Sequence, residues 1–249
     1  MMRRLEGKNA IITGAGRGLG KAFVKAFAME GCSIWAITRS DREEFREYIT
    51  GLEEEYDITI ENVIADLASE DSIKNAYKHI NSQKKSIDIL INNAGIAHMG
   101  LFQLTKMEFV KQLYMVNVIA PMIFSQLVMR NMSRQQSGRI VNVASTAAEE
   151  VYEGNAVYGS SKAALVAFTK SFAAETMKYG VTVNAIAPGL INTDMSKVFE
   201  GSDPKEPIRH TALGRKIEPS EIADVVINML SDDMNIINGT VITINGGHK

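Results

Sequence analysis

Short, nearly continuous apolar segments alternate along the chain with longer segments of helical periodicity. Seven of the short kind run from Asn9 to Thr13, Ile34 to Thr38, Ile60 to Ala65, Ile87 to Asn92, Arg139 to Ala144, Val181 to Ala187 and Val241 to Ile244. A strand with one wet face alternates apolar and polar residues. These segments do not, so both of their faces are expected to lie under helices, as in a parallel sheet. After the first of them, Leu19 to Glu30 sets Ala22, Phe23, Ala26 and Phe27 at the i, i+3, i+4 spacing of a helix packing one face on a sheet. Further helices are predicted over Asp41 to Tyr56, Ser69 to Asn81, Lys106 to Met132, Ala156 to Tyr179 and Pro219 to Met229. The alternation predicts an α/β fold with a doubly wound, seven-stranded parallel sheet and helices on both faces.

One stretch breaks this rhythm. From Met195 to His210, Gly201, Pro204 and Pro207 stand among charged residues between a strand and a helix. Long irregular connections are often lids over a site, so residues 195–210 are expected to be either a substrate lid or a passive surface loop.

Length and composition narrow the class. The 249 residues suit one α/β domain spanning 1–249, and 45% hydrophobic with 22% charged residues suits a folded globular protein. A net charge of −2 offers no field for nucleic acid or for an anionic membrane. The single cysteine, Cys32, allows neither an intramolecular disulfide nor a cysteine-rich zinc site, and suits a reducing cytoplasm. Apolar runs such as Ile87 to Ile91 fall far short of the ~20 residues that span a bilayer, so no membrane segment is expected. The amino-terminal MMRRLEGK reaches Glu6 and Lys8 before any apolar run and reads as an exposed lead-in. The histidines His79, His98, His210 and His248 show no metal-ligand spacing, so no metal site is expected.

The sequence TGAGRGLG, Thr13 to Gly20, follows the first strand and opens a helix, which is where a phosphate-cradling turn must sit. Gly14 permits the tight turn, Gly18 lets the backbone approach a pyrophosphate at the helix amino terminus, and Gly20 allows close packing. This TGxxxGxG form, together with NNAG at Asn92 to Gly95 after the fourth strand, resembles the short-chain dehydrogenase/reductase family, whose fold is a Rossmann fold. On that resemblance Arg17 and Leu19 of the turn, and Asn93, Ala94 and Gly95, are expected cofactor contacts. Asp66, followed by Leu67, resembles the family residue that bonds the adenine ring, although Asp66 could instead cap the helix that follows.

Cofactor preference is read at the end of the second strand. Folds that choose NAD place a carboxylate there for the ribose hydroxyls, and this chain has Thr38 and Arg39. A guanidinium pairs with a 2′-phosphate that a carboxylate would repel, so NADP is expected, with Arg17 as a second cation.

Of seven tyrosines, only Tyr158 has a lysine four positions on, Lys162, in a segment of helical character. That spacing stacks both side chains on one face, and a close ammonium is expected to lower the phenol's pKa. Ser145 ends the strand RIVNVAS and Asn117 lies in MVNVIAP, completing a tetrad that resembles the family's. The resemblance implies that Tyr158 is the general acid in reduction and that Ser145 bonds the substrate oxygen. It further implies that Lys162 also holds the nicotinamide ribose and that Asn117 interrupts its helix and holds a water. The segment APGLINTDM resembles the family's Pro-Gly motif, with Pro188 and Gly189 shaping the turn and Ile191 and Thr193 near the nicotinamide.

The expected activity is therefore hydride transfer between NADP(H) and a small carbonyl or alcohol substrate. Within the family the motifs most resemble 3-oxoacyl-ACP reductases. Those carry two arginines that meet the acidic carrier protein, and here Gln136 and Tyr179 occupy those places. Arg134 and Lys178 lie nearby, while Glu149, Glu150 and Glu153 crowd the loop beside the pocket. A free ketone, a polyol or a sugar therefore stands as the alternative to a 3-oxoacyl thioester. A nucleotide-sensing module without catalysis is disfavoured by the intact tetrad. A sugar epimerase or dehydratase would ordinarily add a carboxy-terminal domain. The resemblance also implies a homotetramer, with the helix bearing Met107, Met115, Met122 and Met129 and the helix of Tyr158 at one interface.

Overall fold

The structure is a computed structural model that describes residues 3–199 and 211–247. In chain order it runs β1 (Asn9–Thr13), α1 (Gly18–Met29), β2 (Ser33–Thr38), α2 (Glu43–Tyr56), β3 (Ile60–Ile64), α3 (Glu70–Ser82) and β4 (Ile89–Asn92). It continues with α4 (Met107–Tyr114), a π turn (Met115–Ile119), α5 (Ala120–Gln135), β5 (Gly138–Val143), α6 (Ala156–Thr176), β6 (Val181–Pro188), α7 (Pro219–Met229) and β7 (Val241–Ile244). All seven strands pair in parallel, in the order β3-β2-β1-β4-β5-β6-β7. The chain starts in β1, builds outward through β2 and β3, then returns to place β4 on the other side. The crevice beyond the carboxyl ends of β1 and β4 is the switch point where such sheets bind ligands.

Two apolar layers cover the sheet because successive strand residues point to opposite faces. Ala10 and Ile12 of β1 join Phe23 and Phe27 of α1 and Ile222 and Val226 of α7 in one layer. Ile11 points the other way, to Trp35, Ile37, and Phe124 and Val128 of α5. Phe23, Phe27 and Phe124 are fully buried, each contributing about 1.5–3 kcal/mol of transfer free energy. The stretch Met107–Gln135 is long and apolar enough, by length and composition alone, to cross a membrane. Its apolarity is accounted for by α5, which lays Phe124, Val128 and Met132 on the sheet.

Three local features differ from the periodicity. The helix expected over Lys106 to Met132 is interrupted by the π turn at Asn117. The helix expected to reach Tyr179 leaves α geometry at Thr176 and closes through a 3₁₀ turn, Met177–Tyr179, onto Gly180 at φ 68°. A Cβ at Gly180 would lie 2.2 Å from the Gln136 carbonyl oxygen, so only glycine fits there. Finally, α3 is capped by Ser69, which accepts from Ser72 N at 3.3 Å, and not by Asp66. Of the irregular stretch 195–210, a 3₁₀ turn covers the part up to Phe199, and residues 200–210 lie outside the described residues.

Candidate active site

One cavity of about 780 Å³ opens along the carboxyl ends of the strands. Every residue expected to hold a cofactor lines it, from Gly14 to Thr193, together with Ser145, Tyr158 and Lys162. Asn117 does not reach the wall; it is fully buried behind it.

At the nucleotide end the glycines have steric reasons. Gly14 and Gly18 have φ values of 68° and 52°, in the left-handed region. A Cβ on Gly20 would stand 2.0 Å from the Gly14 carbonyl oxygen, so α1 can begin this close to its own turn only with glycine there. No side chain caps α1 and no carboxylate lies in its first turn, leaving an amino terminus suited to an anion. The residues present thus fit a dinucleotide pyrophosphate.

The end of β2 fits a further phosphate. Thr38 is buried, with its hydroxyl 2.6 Å from Asn62 Oδ1. Beyond it Arg39, Ser40 and Arg42 line the cavity opposite Arg17. Arg17, Arg39 and Arg42 form no ion pair among the described residues. Asp41, next to Arg42, is paired with Arg46 and accepts from Asn62 Nδ2 at 3.3 Å, while Asp194 is paired with Lys197, which together with Arg17 holds its carboxyl low. Sequence reasoning missed Arg42; its place three residues after Arg39, just before a helix, was the available signal. At the adenine end Asp66 Oδ1 accepts from Ala68 N at 3.0 Å, and Leu67 lines the same wall.

Thr13 clasps the two halves of the floor. Its hydroxyl accepts from Asn93 N at 3.0 Å and Ala94 N at 3.1 Å. The Asn93 side chain is spent on the carbonyls of Thr13 (2.9 Å) and Gly14 (3.3 Å), so this residue shapes the glycine turn through its amide.

At the other end Tyr158 and Lys162 rise from α6, and Ser145 follows β5. Tyr158 is 6% and Lys162 4% exposed. The expectation that the ammonium lowers the phenol's pKa is not met. Burial pushes Tyr158 up to about 12, opposed by a hydrogen bond with Ser145 and aided by the nearby Tyr152. Lys162 Nζ lies 5.8 Å from the Tyr158 ring centre and donates to the Val143 carbonyl at 2.8 Å. Burial in turn draws Lys162 down to about 8. Helical spacing puts the pair on one face, but the depth of that face decides their charge.

The π turn points Asn117 inward. Its Oδ1 accepts from Ile96 N at 2.7 Å, and its Nδ2 donates to Ile96 O at 2.9 Å and to Ser161 Oγ at 3.1 Å. The side chain is thereby fully committed to the protein. A Cβ on Gly95 would meet both Asn117 Oδ1 (3.4 Å) and Lys162 Nζ (3.5 Å), so the three residues converge on one spot.

After β6, Gly189 N donates to Ile244 O at 2.9 Å, and Ile191 bridges to Ile217, fastening the segment before it passes over the glycine turn. There the Thr193 methyl would stand 3.3 Å from a Cβ on Gly18. Phe199, at the end of the described 3₁₀ turn, brings its ring centre within 5.5 Å of the Tyr158 ring. Phe199 was not foreseen, because it lies in a stretch without periodicity.

The family model for short-chain dehydrogenases matches residues 8–203. The 3-oxoacyl-(acyl-carrier-protein) reductase FabG of Aquifex aeolicus is 35% identical over 98% of this chain and 98% of its own. Among solved structures, a short-chain dehydrogenase of Burkholderia cenocepacia in complex with NADP matches at 30% identity and a TM-score of 0.90, covering 98% of both chains. Acetoin dehydrogenase YohF of Salmonella typhimurium matches at 27% identity and a TM-score of 0.87, covering 97% of this chain and 95% of its own. The clasped glycine turn, the buried Tyr158 and Lys162 and these likenesses lead to one assignment: the chain belongs to the short-chain dehydrogenase family and is an oxidoreductase acting on CH–OH and C=O groups.

Proposed function

We propose that this protein is an NADP(H)-dependent reductase of a free small carbonyl compound, working also in reverse on the alcohol. The observation that carries the reading is the cavity that joins Arg17, Arg39 and Arg42, none in a salt bridge among the described residues, to Ser145, Tyr158 and Lys162. Arg39, Arg17 and Arg42 would hold the 2′-phosphate, the glycine turn the pyrophosphate, Asp66 and Leu67 the adenine, and Ile191 and Thr193 the nicotinamide. When bound, the nicotinamide supplies or accepts the hydride.

The chain's own residues handle the proton. A phenol held near pKa 12 stays protonated at neutral pH, which suits Tyr158 as the acid that protonates a carbonyl oxygen as it becomes an alkoxide. Ser145 donates to the same oxygen and stabilises its growing charge. Lys162, its ammonium anchored on the Val143 carbonyl, holds the nicotinamide ribose. A water held at the π turn of Asn117 would continue the proton path. The Asn117 side chain, being committed elsewhere, serves to hold that geometry.

A carrier-protein substrate has less support. Gln136 Nε2 donates to the Ser133 carbonyl at 2.5 Å, Lys178 lies 5.1 Å over the Tyr179 ring, and neither Gln136 nor Tyr179 can form an ion pair with a carboxylate. A cytoplasmic homotetramer is the proposed working form. Exposed Met107 and Ile119 on the α4–α5 stretch and the edge strand β7 supply surfaces for it. The test is oxidation of NADPH with a panel of carbonyl compounds that includes acetoacetyl-ACP. Turnover of free ketones with NADPH preferred to NADH is expected. A kcat/KM for acetoacetyl-ACP far above every unattached compound would restore the fatty-acid assignment.

A further inference from the structure

The substrate end of the cavity has a composition of its own. Besides Ser145 and Tyr158, the cavity lining includes the apolar side chains of Ile96, Val116, Leu190, Met195 and Phe199, with Gln112, Asn192 and Lys216 among its polar members. The Phe199 ring is tilted at 47° to the Tyr158 ring with centres 5.5 Å apart, which sets an aromatic ring beside the phenol. A substrate whose carbonyl oxygen meets the Tyr158 hydroxyl must therefore lay one of its two substituents along this wall.

Charge points the same way. The loop from Ser145 to Asn155 carries Glu149, Glu150 and Glu153 and no lysine or arginine. The arginines of the cavity sit at its nucleotide end, and Lys197, in the turn with Phe199, is paired with Asp194 at 2.6 Å. Lys216 reaches the wall with Nζ 3.4 Å from Ser196 Oγ. An anionic substituent laid against Phe199 and its apolar neighbours would lose its hydration there, and a polyhydroxylated one would leave hydroxyls without partners on that surface.

We propose that the substrate end of the cavity selects carbonyl compounds whose larger substituent is an uncharged alkyl or aryl group, and that Phe199 is the residue that sets this preference. This rests on the reductase reading given above, and it deepens that reading by naming the substrate class. Phe199 acts on specificity by offering its ring to the substituent, while the proton still comes from Tyr158.

The experiment compares matched probes with saturating NADPH: acetophenone, 2-octanone, butanone and dihydroxyacetone, and the pair methyl benzoylformate and benzoylformate. Wild-type kcat/KM is expected to be at least about tenfold higher for acetophenone than for dihydroxyacetone, and for the ester than for its anion. In Phe199→Ala the acetophenone-to-butanone ratio of kcat/KM should fall about tenfold, chiefly through KM. Phe199→Leu should keep the preference for ester over anion while losing that for aryl over alkyl. A wild-type preference for dihydroxyacetone or benzoylformate overturns the substrate class. An acetophenone-to-butanone ratio that does not move in Phe199→Ala overturns the role of Phe199. If NADPH binds, as read by its fluorescence, yet no probe oxidises it, the reductase reading itself fails and this inference with it.

Discussion

The Asn117 side-chain amide donates to Ser161 Oγ at 3.1 Å, and the Ser161 hydroxyl in turn donates to the Tyr158 carbonyl oxygen at 2.7 Å. Both residues are fully buried. This link ties the π turn to the helix that carries Tyr158 and Lys162. Ser161→Ala would leave one Asn117 N–H unsatisfied, a loss of about 1–3 kcal/mol in denaturant unfolding. Because the freed amide relaxes the π turn, kcat is also expected to fall with little change in NADPH affinity. Unchanged stability and unchanged kcat would show that the link carries no weight.

Tyr158→Phe removes the transferable proton and keeps the ring that Phe199 contacts. Turnover should drop by about 10²–10⁴ with NADPH binding largely retained. Full activity in that variant, measured by NADPH oxidation, would dismiss Tyr158 as the acid.

Lys162 places a cost on the fold whose sign can be worked out. Its pKa falls from 10.5 in the unfolded chain to about 8 in the folded protein. Between those values the unfolded state binds more protons, so stability rises with pH across the window, and below about pH 8 the burial penalty is present in full. Lys162→Met is therefore expected to raise Tm at pH 7 while abolishing activity, and its stability advantage should shrink as pH approaches 10.5. A Tm difference that stays constant from pH 7 to 10 contradicts the burial argument.

Arg39→Asp reverses the charge where the 2′-phosphate is proposed to sit, while Asp41 stays engaged by Arg46. The kcat/KM ratio for NADPH over NADH should fall by tenfold or more, at about 1.4 kcal/mol per tenfold. Retention of the wild-type ratio would move the phosphate site elsewhere.

Gly20→Ala forces a Cβ to within 2.0 Å of a backbone oxygen that has no room to move. Loss of NADPH binding, or of folded protein, is expected by fluorescence titration and circular dichroism. Normal NADPH affinity would mean that α1 can shift freely.

The seven strands and the helices were legible, α4 and α5 as one continuous segment, because burial leaves an apolar record in each. The glycine turn and the Tyr158–Lys162 pair were legible as well, through spacing read in its strand and helix context and through resemblance to the family's motifs. What spacing does not carry is depth. The i, i+4 step from Tyr158 to Lys162 predicts neighbours, yet their charge states follow from how much protein covers α6. Ser161 and Phe199 gain meaning only from partners 44 and 41 residues away, Asn117 and Tyr158. Asn117 was foreseen as an interruption, but which groups its amide would satisfy depends on where Ile96 comes to rest.

The clasp at Thr13 also has a consequence for synthesis on the ribosome. Strand β1 and the glycine turn emerge first, yet Asn93, whose amide rests on the Thr13 hydroxyl, follows 80 residues later. Closing a loop of that length costs entropy before any pairing repays it, and parallel neighbours form slowly for the same reason. A nascent chain halted before Gly95 holds a phosphate turn without its floor. The growing polypeptide therefore passes through the nucleotide-rich interior of the cell with its turn exposed, and it gains the ability to retain a dinucleotide only after β4 docks beside β1.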